Sequence, residues 1–176
     1  MLRYYYDTEF IDDGKTIDLI SIGIVAEDGR EFYAVNADMD TGKLHRNPWL
    51  TKNVWPHLPL RKHPEGHKCR CIFGHLDTDH PDVRPKKQIA RAVERFLSSV
   101  SELWAYYGAY DHVALAQLWG PMVELPDGLP MFTHDIMQEA SRLDALEGLP
   151  KQPDGEHNAL ADARHVKTMW EWLATK

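Results

Sequence analysis

Cysteine is scarce in this chain, and a long apolar run is missing. Only two of the 176 residues are cysteines, Cys69 and Cys71, and residues this close on an extended chain do not reach disulfide geometry easily. No run of about eighteen apolar residues occurs, as a membrane-spanning helix would require. The opening sequence MLRYYYDTEF also lacks the apolar stretch of a signal peptide. We therefore expect free thiols and a soluble, cytoplasmic protein with no membrane partner.

The two cysteines also raise the question of zinc. They lie in a segment, residues 40–85, that holds six of the ten histidines. Structural zinc sites commonly place about two to four residues between paired cysteines and add a second pair of ligands. Here a single residue separates Cys69 from Cys71, and no second cysteine pair follows. The segment is predicted to be an irregular, basic and histidine-rich insertion without structural zinc.

Positive charge is in deficit, because the formal net charge is −7 at pH 7. Proteins that bind nucleic acids usually present a basic surface. Between residues 40 and 80, however, seven Lys or Arg stand against four Asp or Glu, so acidic flanks enclose a basic middle. Divalent cations bound to clustered carboxylates would further change the local field. An anionic substrate is compatible with this distribution.

Hydrophobic patterning predicts one domain over residues 1–176. Alternating and β-prone stretches come first, and helical and β-prone segments then follow one another, which is the order of an α/β protein. The fold class is therefore α/β, with a mixed central β-sheet flanked by helices. The predicted strands cover residues 2–10, 19–26, 31–35, 103–107 and 129–132. One predicted helix begins at residue 86, and three others cover residues 112–119, 135–143 and 159–173.

Two acids in the first strand are the first candidate site residues. Asp7 and Glu9 are two residues apart, so their side chains point to the same face of a sheet and repel each other. Such a pair within a strand otherwise made of Tyr, Thr, Phe and Ile indicates a hard cation that prefers oxygen ligands. The alternative is an exposed strand end with ordinary surface charges.

Three further candidates lie near helix starts. Asp111 precedes an apolar helical pattern and suits an N-cap position, and capping alone would explain it. Asn158 is predicted to cap the last helix, which puts His157 on the preceding loop and Asp162 in the second turn. A surface loop histidine and a helix-surface acid are the simpler interpretations. The alanines around Asp162 indicate that this turn approaches another element closely.

Three motifs in this order resemble those of the DEDDh 3′-5′ exonucleases. They are Asp-Thr-Glu at residues 7–9, Tyr-Asp at residues 110–111 and His-Asn-Ala-Leu-Ala-Asp-Ala at residues 157–163. Many members carry His-Asn a few residues before the second motif, where this chain has Tyr106 and Tyr107. Within the family, the chain most resembles the bacterial polyadenylate-specific exoribonucleases of the RNase AS group. That likeness includes Asn-Pro-Trp at residues 47–49 and extends over nearly the whole chain.

The resemblance implies a ribonuclease H-like fold and a two-metal-ion active site. Asp7, Glu9, Asp111 and Asp162 would bind two Mg²⁺ or Mn²⁺ ions, and His157 would act as the general base. The implied substrate is single-stranded RNA, which a homodimer would shorten from the 3′ end to nucleoside 5′-monophosphates, with a preference for adenylate.

Candidate substrate-binding residues are Thr8 within the first motif, Phe10 just beyond it and Trp49 in the insertion. The two aromatic rings are placed to stack on bases, as in proteins that bind single strands. The rival functions are a DNA exonuclease or an oligoribonuclease of the same fold, since motif residues contact phosphate and metal rather than sugar. A catalytically inert nucleic-acid-binding module is a third alternative, because a fold does not imply a function.

Overall fold

The computed structural model describes residues 2–61 and 74–176. Cys69 and Cys71, and with them the prediction about zinc, lie outside the described residues. The strands are β1 (Leu2–Asp12), β2 (Ile17–Ala26), β3 (Glu31–Asn36), β4 (Leu60–Arg61), β5 (His75–Leu76), β6 (Val83–Arg84), β7 (Val100–Ala105) and β8 (His134–Asp135). The α-helices are α1 (Thr41–Arg46), α2 (Pro48–Asn53), α3 (Lys86–Phe96), α4 (Ala109–Ala116), α5 (Ile136–Arg142) and α6 (Ala159–Leu173).

A six-stranded mixed sheet forms the centre of the molecule, in the order β6-β3-β2-β1-β7-β8. Strands β1, β2 and β3 are antiparallel neighbours, whereas β7 runs parallel to β1, β8 parallel to β7, and β6 parallel to β3. This confirms the predicted α/β fold with helices flanking a mixed sheet, and the arrangement is compatible with a ribonuclease H-like fold. Among residues 2–61 and 74–176, every helix is too short or too polar to cross a lipid bilayer.

Strand β1 separates the two faces of the sheet. Tyr6 packs on one face against α3 and α4, whereas Tyr5 packs on the other face against α5 and α6. Asp7 and Glu9 follow Tyr5 at a spacing of two, so they share its face. Farther along, Ile11 joins an apolar cluster formed with α1 and α2. The acid pair therefore lies on one face between two apolar clusters.

A β-bulge lies next to the acid pair. Glu9 pairs with Ser21 and Phe10 pairs with Leu19, which leaves Ile20 as an extra residue in β2. Bulges redirect side chains and are common beside functional sites. Here Ile20 packs into the cluster under α1 and α2, while Phe10 packs against the cluster on the opposite face.

Gly23 of β2 lies opposite Asp7 in the β1–β2 pairing and lets α6 approach the sheet. A Cβ atom at Gly23 would overlap the backbone of Ala159 and Leu160. A glycine within a strand often marks such a close approach of another backbone segment. The first turn of α6 thereby lies directly over the face that carries Asp7.

We expect Gly23→Ala to destabilise the protein by about 1–3 kcal/mol, because the added methyl group has no room beneath α6. Urea denaturation followed by circular dichroism measures this loss. Gly42→Ala in α1 is the control, since its Cβ would meet side-chain atoms and no backbone, with Asp40 Oδ1 at 3.1 Å and Arg46 at 3.5 Å. That variant should lose much less stability than Gly23→Ala, because these side chains can shift. A Gly23→Ala protein with parental stability would contradict the close packing of α6 on β2.

The described part of the insertion contains more regular structure than predicted. The Asp40 side chain caps α1 by accepting a hydrogen bond from the Lys43 N–H, and Asn47 caps α2 in the same way. Leu44 of α1 and Leu50 of α2 are the buried residues on the apolar sides of these two helices. Each helix has only six residues, which is too short for a helical period to show in the sequence.

Two predicted elements in the second half are wrong in position. The strand expected over residues 129–132 is absent there, and the edge strand is β8, whose Asp135 accepts a hydrogen bond from the Gly108 N–H. The helix expected over residues 112–119 is α4, which begins at Ala109 with Gly108 at its N-cap. Asp111 therefore lies in the first turn of α4 and is not the cap. By contrast, α6 is confirmed with its predicted bounds, and Asn158 caps it.

Candidate active site

A pocket of about 740 Å³ opens over the face of β1 that carries the acid pair. Its walls come from β1, α4, α6, the segment after β7 and the loop before α6. All five residues that the sequence predicts as catalytic or metal-binding line it: Asp7, Glu9, Asp111, His157 and Asp162. The pocket therefore gathers side chains that are up to 155 positions apart along the chain.

Glu9, His157 and Asp162 form a close group in the pocket. Each offers one oxygen or nitrogen atom, and the three atoms lie within 4.8 Å of one another. Carboxylate oxygens suit a hard divalent cation such as Mg²⁺ or Mn²⁺, whereas an imidazole nitrogen is a more typical ligand of first-row transition metals. In this group His157 is as close to the acids as a metal ligand would be, although the sequence predicts it as a base.

Burial and like charge raise the pKa of the two acids on β1. Burial is the main cause for Asp7, and the charges of Asp111, Glu9 and Asp162 add to it, so its pKa lies well above the ordinary range. Burial, then Asp162 and Asp111, raise the pKa of Glu9 to about 8. Carboxylates crowded in this way repel one another when ionised, and a bound cation would relieve that repulsion. The donor set therefore fits a divalent metal.

Asp111 is held in place by the first motif. Its Oδ1 accepts a hydrogen bond from the Thr8 N–H at 2.8 Å and another from the Thr8 hydroxyl at 2.7 Å. Burial raises the pKa of Asp111 to about 6, and these two hydrogen bonds oppose the rise. Thr8 thus uses both of its donors to orient a carboxylate. Its predicted contact with substrate stays a prediction.

Asp162 is held by the loop that precedes α6. Its Oδ1 accepts a hydrogen bond from Gln152 Nε2 at 2.7 Å, and its Oδ2 accepts one from the His157 N–H at 2.9 Å. Burial raises the pKa of Asp162 against both bonds. His157 has a φ of +67°, a left-handed conformation that is uncommon outside glycine and recurs at functional sites. As predicted, His157 lies on the loop and Asp162 on the helix.

Four aromatic residues, Phe10, Tyr106, Tyr107 and Tyr110, line the pocket, and Trp49 contacts His157 beside them. Phe10 stacks on Tyr110 with ring centroids 5.9 Å apart. Trp49, about half exposed, sets its ring edge-on to His157 with centroids 4.8 Å apart. Tyr106 and Tyr107 line the pocket and contact each other edge to face. Sequence reasoning selected Phe10 and Trp49 as base-stacking residues and missed the three tyrosines. The signal for Tyr106 and Tyr107 was the replacement of His-Asn before the second motif, and Tyr110 lies within that motif.

Two further residues of the pocket wall were also missed. Gln152 contacts Asp162, and His165 lies one turn beyond Asp162 on the same face of α6. His165 Nε2 lies 3.1 Å from the Pro150 carbonyl oxygen, so that nitrogen carries the proton. The spacing of three residues from Asp162 would have indicated His165, whereas nothing local in the sequence indicates Gln152.

No protein-family model matches the chain. Two proteins of Mycobacterium tuberculosis do resemble it over most of its length: the 3′-5′ exoribonuclease Rv2179c of strain H37Rv and the 3′-5′ exoribonuclease MT2234.1 of strain CDC 1551. Each is 43% identical over 167 residues, which cover 93% of this chain and 88% of the relative. The chain belongs to this family of 3′-5′ exoribonucleases.

In this exoribonuclease family member, the raised pKa values of Glu9 and Asp7 predict how the stability of the metal-free protein depends on pH. The folded state holds the Glu9 proton more tightly than the unfolded chain does. Its stabilising effect is complete below the ordinary pKa of 4.5 and is lost as pH rises through about 8. Asp7 acts in the same direction. His45 and His112, whose pKa values burial lowers, act oppositely and only in more acidic solution.

We therefore expect the metal-free protein to lose stability between about pH 7 and about pH 8.5. Glu9 alone contributes about 1 kcal/mol to this loss, or about 2–4 °C in Tm. Thermal denaturation in EDTA measures it, and the same scan with saturating Mg²⁺ is the control, in which the loss should be smaller. If Tm falls by the same amount between these two pH values with and without Mg²⁺, the result would contradict the binding of a cation among these carboxylates.

Proposed function

We propose that this protein is a metal-dependent 3′-5′ exoribonuclease of the DEDDh type, related to the RNase AS group. It would hydrolyse single-stranded RNA from the 3′ end to nucleoside 5′-monophosphates, with a preference for adenylate. The observation that supports this best is the gathering of Asp7, Glu9, Asp111, Asp162 and His157 on one pocket of a chain related to 3′-5′ exoribonucleases.

The four carboxylates would hold two Mg²⁺ or Mn²⁺ ions. A shared cation is supported by Glu9 and Asp162, whose carboxylate oxygens lie within 4.8 Å of each other. When bound, the ions stabilise charge on the attacking and leaving oxygens of a phosphodiester displacement. Thr8 keeps Asp111 oriented with its two hydrogen bonds, so the second motif presents its carboxylate in a fixed direction.

His157 would take the proton from the attacking water at a ring nitrogen. Imidazole can accept a proton near neutral pH, and the loop brings this ring against Glu9 and Asp162. The His157 N–H bond to Asp162 and the edge contact with Trp49 restrict where the ring can lie. The base would thus be positioned by its backbone and by one neighbouring ring.

The aromatic rim would bind the bases of the RNA. Phe10 with Tyr110, and Tyr106 with Tyr107, present ring faces beside the acids, and stacking on aromatic rings contributes about 1–3 kcal/mol per base. Bases inside a duplex are stacked on their neighbours and have no free face to offer, so the rim would favour single strands. Trp49, whose ring is exposed, would add a further contact.

The proposed enzyme would act in the cytoplasm as a homodimer. Large apolar side chains are exposed between α4 and α5, which suits self-association: Met122, Val123, Met131 and Phe132. Light scattering after size-exclusion chromatography measures the mass directly. A single species with the mass of one chain would contradict the proposed homodimer without affecting the proposed nuclease activity.

A digestion panel tests the proposed activity. The substrates are poly(A), the other RNA homopolymers, single-stranded DNA and dinucleotides, each labelled at the 5′ end, with Mg²⁺ or Mn²⁺. We expect mononucleotide release and progressive shortening of the labelled strand, fastest with poly(A). Faster digestion of DNA or of dinucleotides would favour a DNA exonuclease or an oligoribonuclease. Binding without any release, even in Mn²⁺, would favour an inert binding module.

A further inference from the structure

The loop before α6 contacts that helix at several points. At its start, Gly148 packs so closely on Trp172 that a Cβ atom there would lie 2.7 Å from the indole ring. Two residues later, the Pro150 carbonyl oxygen contacts His165 Nε2 at 3.1 Å. The loop thus runs along α6 from its C-terminal half toward its N-terminus and reaches the pocket from that side.

Gln152 and His157 of this loop hold the two oxygens of the same carboxylate. Gln152 Nε2 donates to Oδ1 of Asp162 and the His157 N–H donates to Oδ2. Both donors are neutral, so they orient the carboxylate without neutralising it. A lysine at residue 152 would compete with a cation for Asp162, whereas an amide leaves the negative charge available.

We propose that Gln152 is a positioning residue that aims Asp162 at the bound cation and ties the place of His157 to the same carboxylate. This inference rests on the proposed function, in which Asp162 is a metal ligand. Each oxygen keeps further lone pairs for a metal while it accepts one hydrogen bond. Asp162, Gln152 and His157 are then coupled in position, because a shift of the Asp162 carboxylate displaces both of its hydrogen-bond donors.

The expected effect follows from how outer partners act on metal ligands. Removing a group that orients a ligand typically weakens metal affinity or activity by about 10–100-fold. Gln152 is only half-buried on a surface loop, so removing its amide leaves the core untouched. The loss should therefore appear in metal affinity and not in the stability of the metal-free protein.

Mn²⁺ titration by calorimetry without RNA tests the proposal. The variants are Gln152→Met, which keeps the length of the side chain but cannot donate, and Gln152→Ala. Gln138→Met, on the exposed side of α5, is the matched control. We expect Mn²⁺ affinity to fall about 10-fold or more in both Gln152 variants, with Tm in EDTA unchanged. Unchanged or tighter Mn²⁺ binding in either folded variant overturns the positioning role.

The same measurements separate this inference from the proposed function. If the parent protein binds Mn²⁺ and releases no nucleotide from any substrate, the proposed function fails while the affinity comparison still decides the role of Gln152. If the parent releases nucleotides and the Gln152 variants bind Mn²⁺ as the parent does, only the positioning role fails.

Discussion

Asp7→Asn is expected to abolish nucleotide release and, at a pH high enough to ionise Asp7, to raise the thermal stability of the metal-free protein. Asp7 is the residue on which the charges of Asp111, Glu9 and Asp162 all act, and together with burial they hold its pKa well above the ordinary range. At a pH high enough to ionise Asp7, a neutral amide of the same shape removes one charge from this group and can donate hydrogen bonds to the acids that remain. The same change removes a proposed metal ligand.

The expected loss of turnover is about 10³-fold or more, since the metal supplies several kcal/mol of transition-state stabilisation and each tenfold change in rate is about 1.4 kcal/mol. The gain in Tm is about 2–4 °C for each kcal/mol of repulsion relieved. Asp18→Asn is the control, because Asp18 lies on β2 and its nearest cation, Lys43, is 3.8 Å away at the protein surface. If the Asp7→Asn variant retains turnover in Mg²⁺, the assignment of Asp7 as a metal ligand is wrong.

Strand periodicity was enough to predict where the first acids point. Asp7 and Glu9 share a face because they are two residues apart on β1, and that argument needs no knowledge of other elements. The cap of the last helix was equally local, since Asn158 accepts from the third N–H beyond it. These two local features locate four of the five proposed site residues: Asp7 and Glu9 on one face of β1, His157 on the loop and Asp162 on α6.

The partners of these residues depend on contacts between distant segments. Asp111 suited a helix cap in the sequence, but its carboxylate is engaged by Thr8 on the neighbouring strand, 103 positions away. Gln152 has no motif of its own, because its role comes only from the path of a loop along α6. Gly23 is an intermediate case. A glycine within an apolar strand indicates a close approach, although it does not say which element approaches.

His157→Asn is expected to lower the rate of nucleotide release by about 10²–10⁴-fold at saturating metal, as the loss of a general base does. Asparagine is chosen because it tolerates the left-handed conformation that His157 adopts, with φ at +67°. The backbone can therefore keep its hydrogen bond to Asp162, and only the imidazole is lost. Any change in rate can then be assigned to the side chain.

The close group of Glu9, His157 and Asp162 gives this variant a second possible outcome, because a ring nitrogen at such a distance suits a metal ligand as well as a base. Mn²⁺ affinity measured without RNA distinguishes the two. If His157 is a base, the variant binds Mn²⁺ as the parent does and its rate is lowered at every metal concentration. If His157 is a metal ligand, the variant binds Mn²⁺ more weakly and recovers the parental rate when the metal concentration is raised. His57→Asn, on an exposed turn, controls for the substitution itself. Collapse of metal binding with a normal rate at saturation would make His157 a ligand and leave the enzyme without an assigned base.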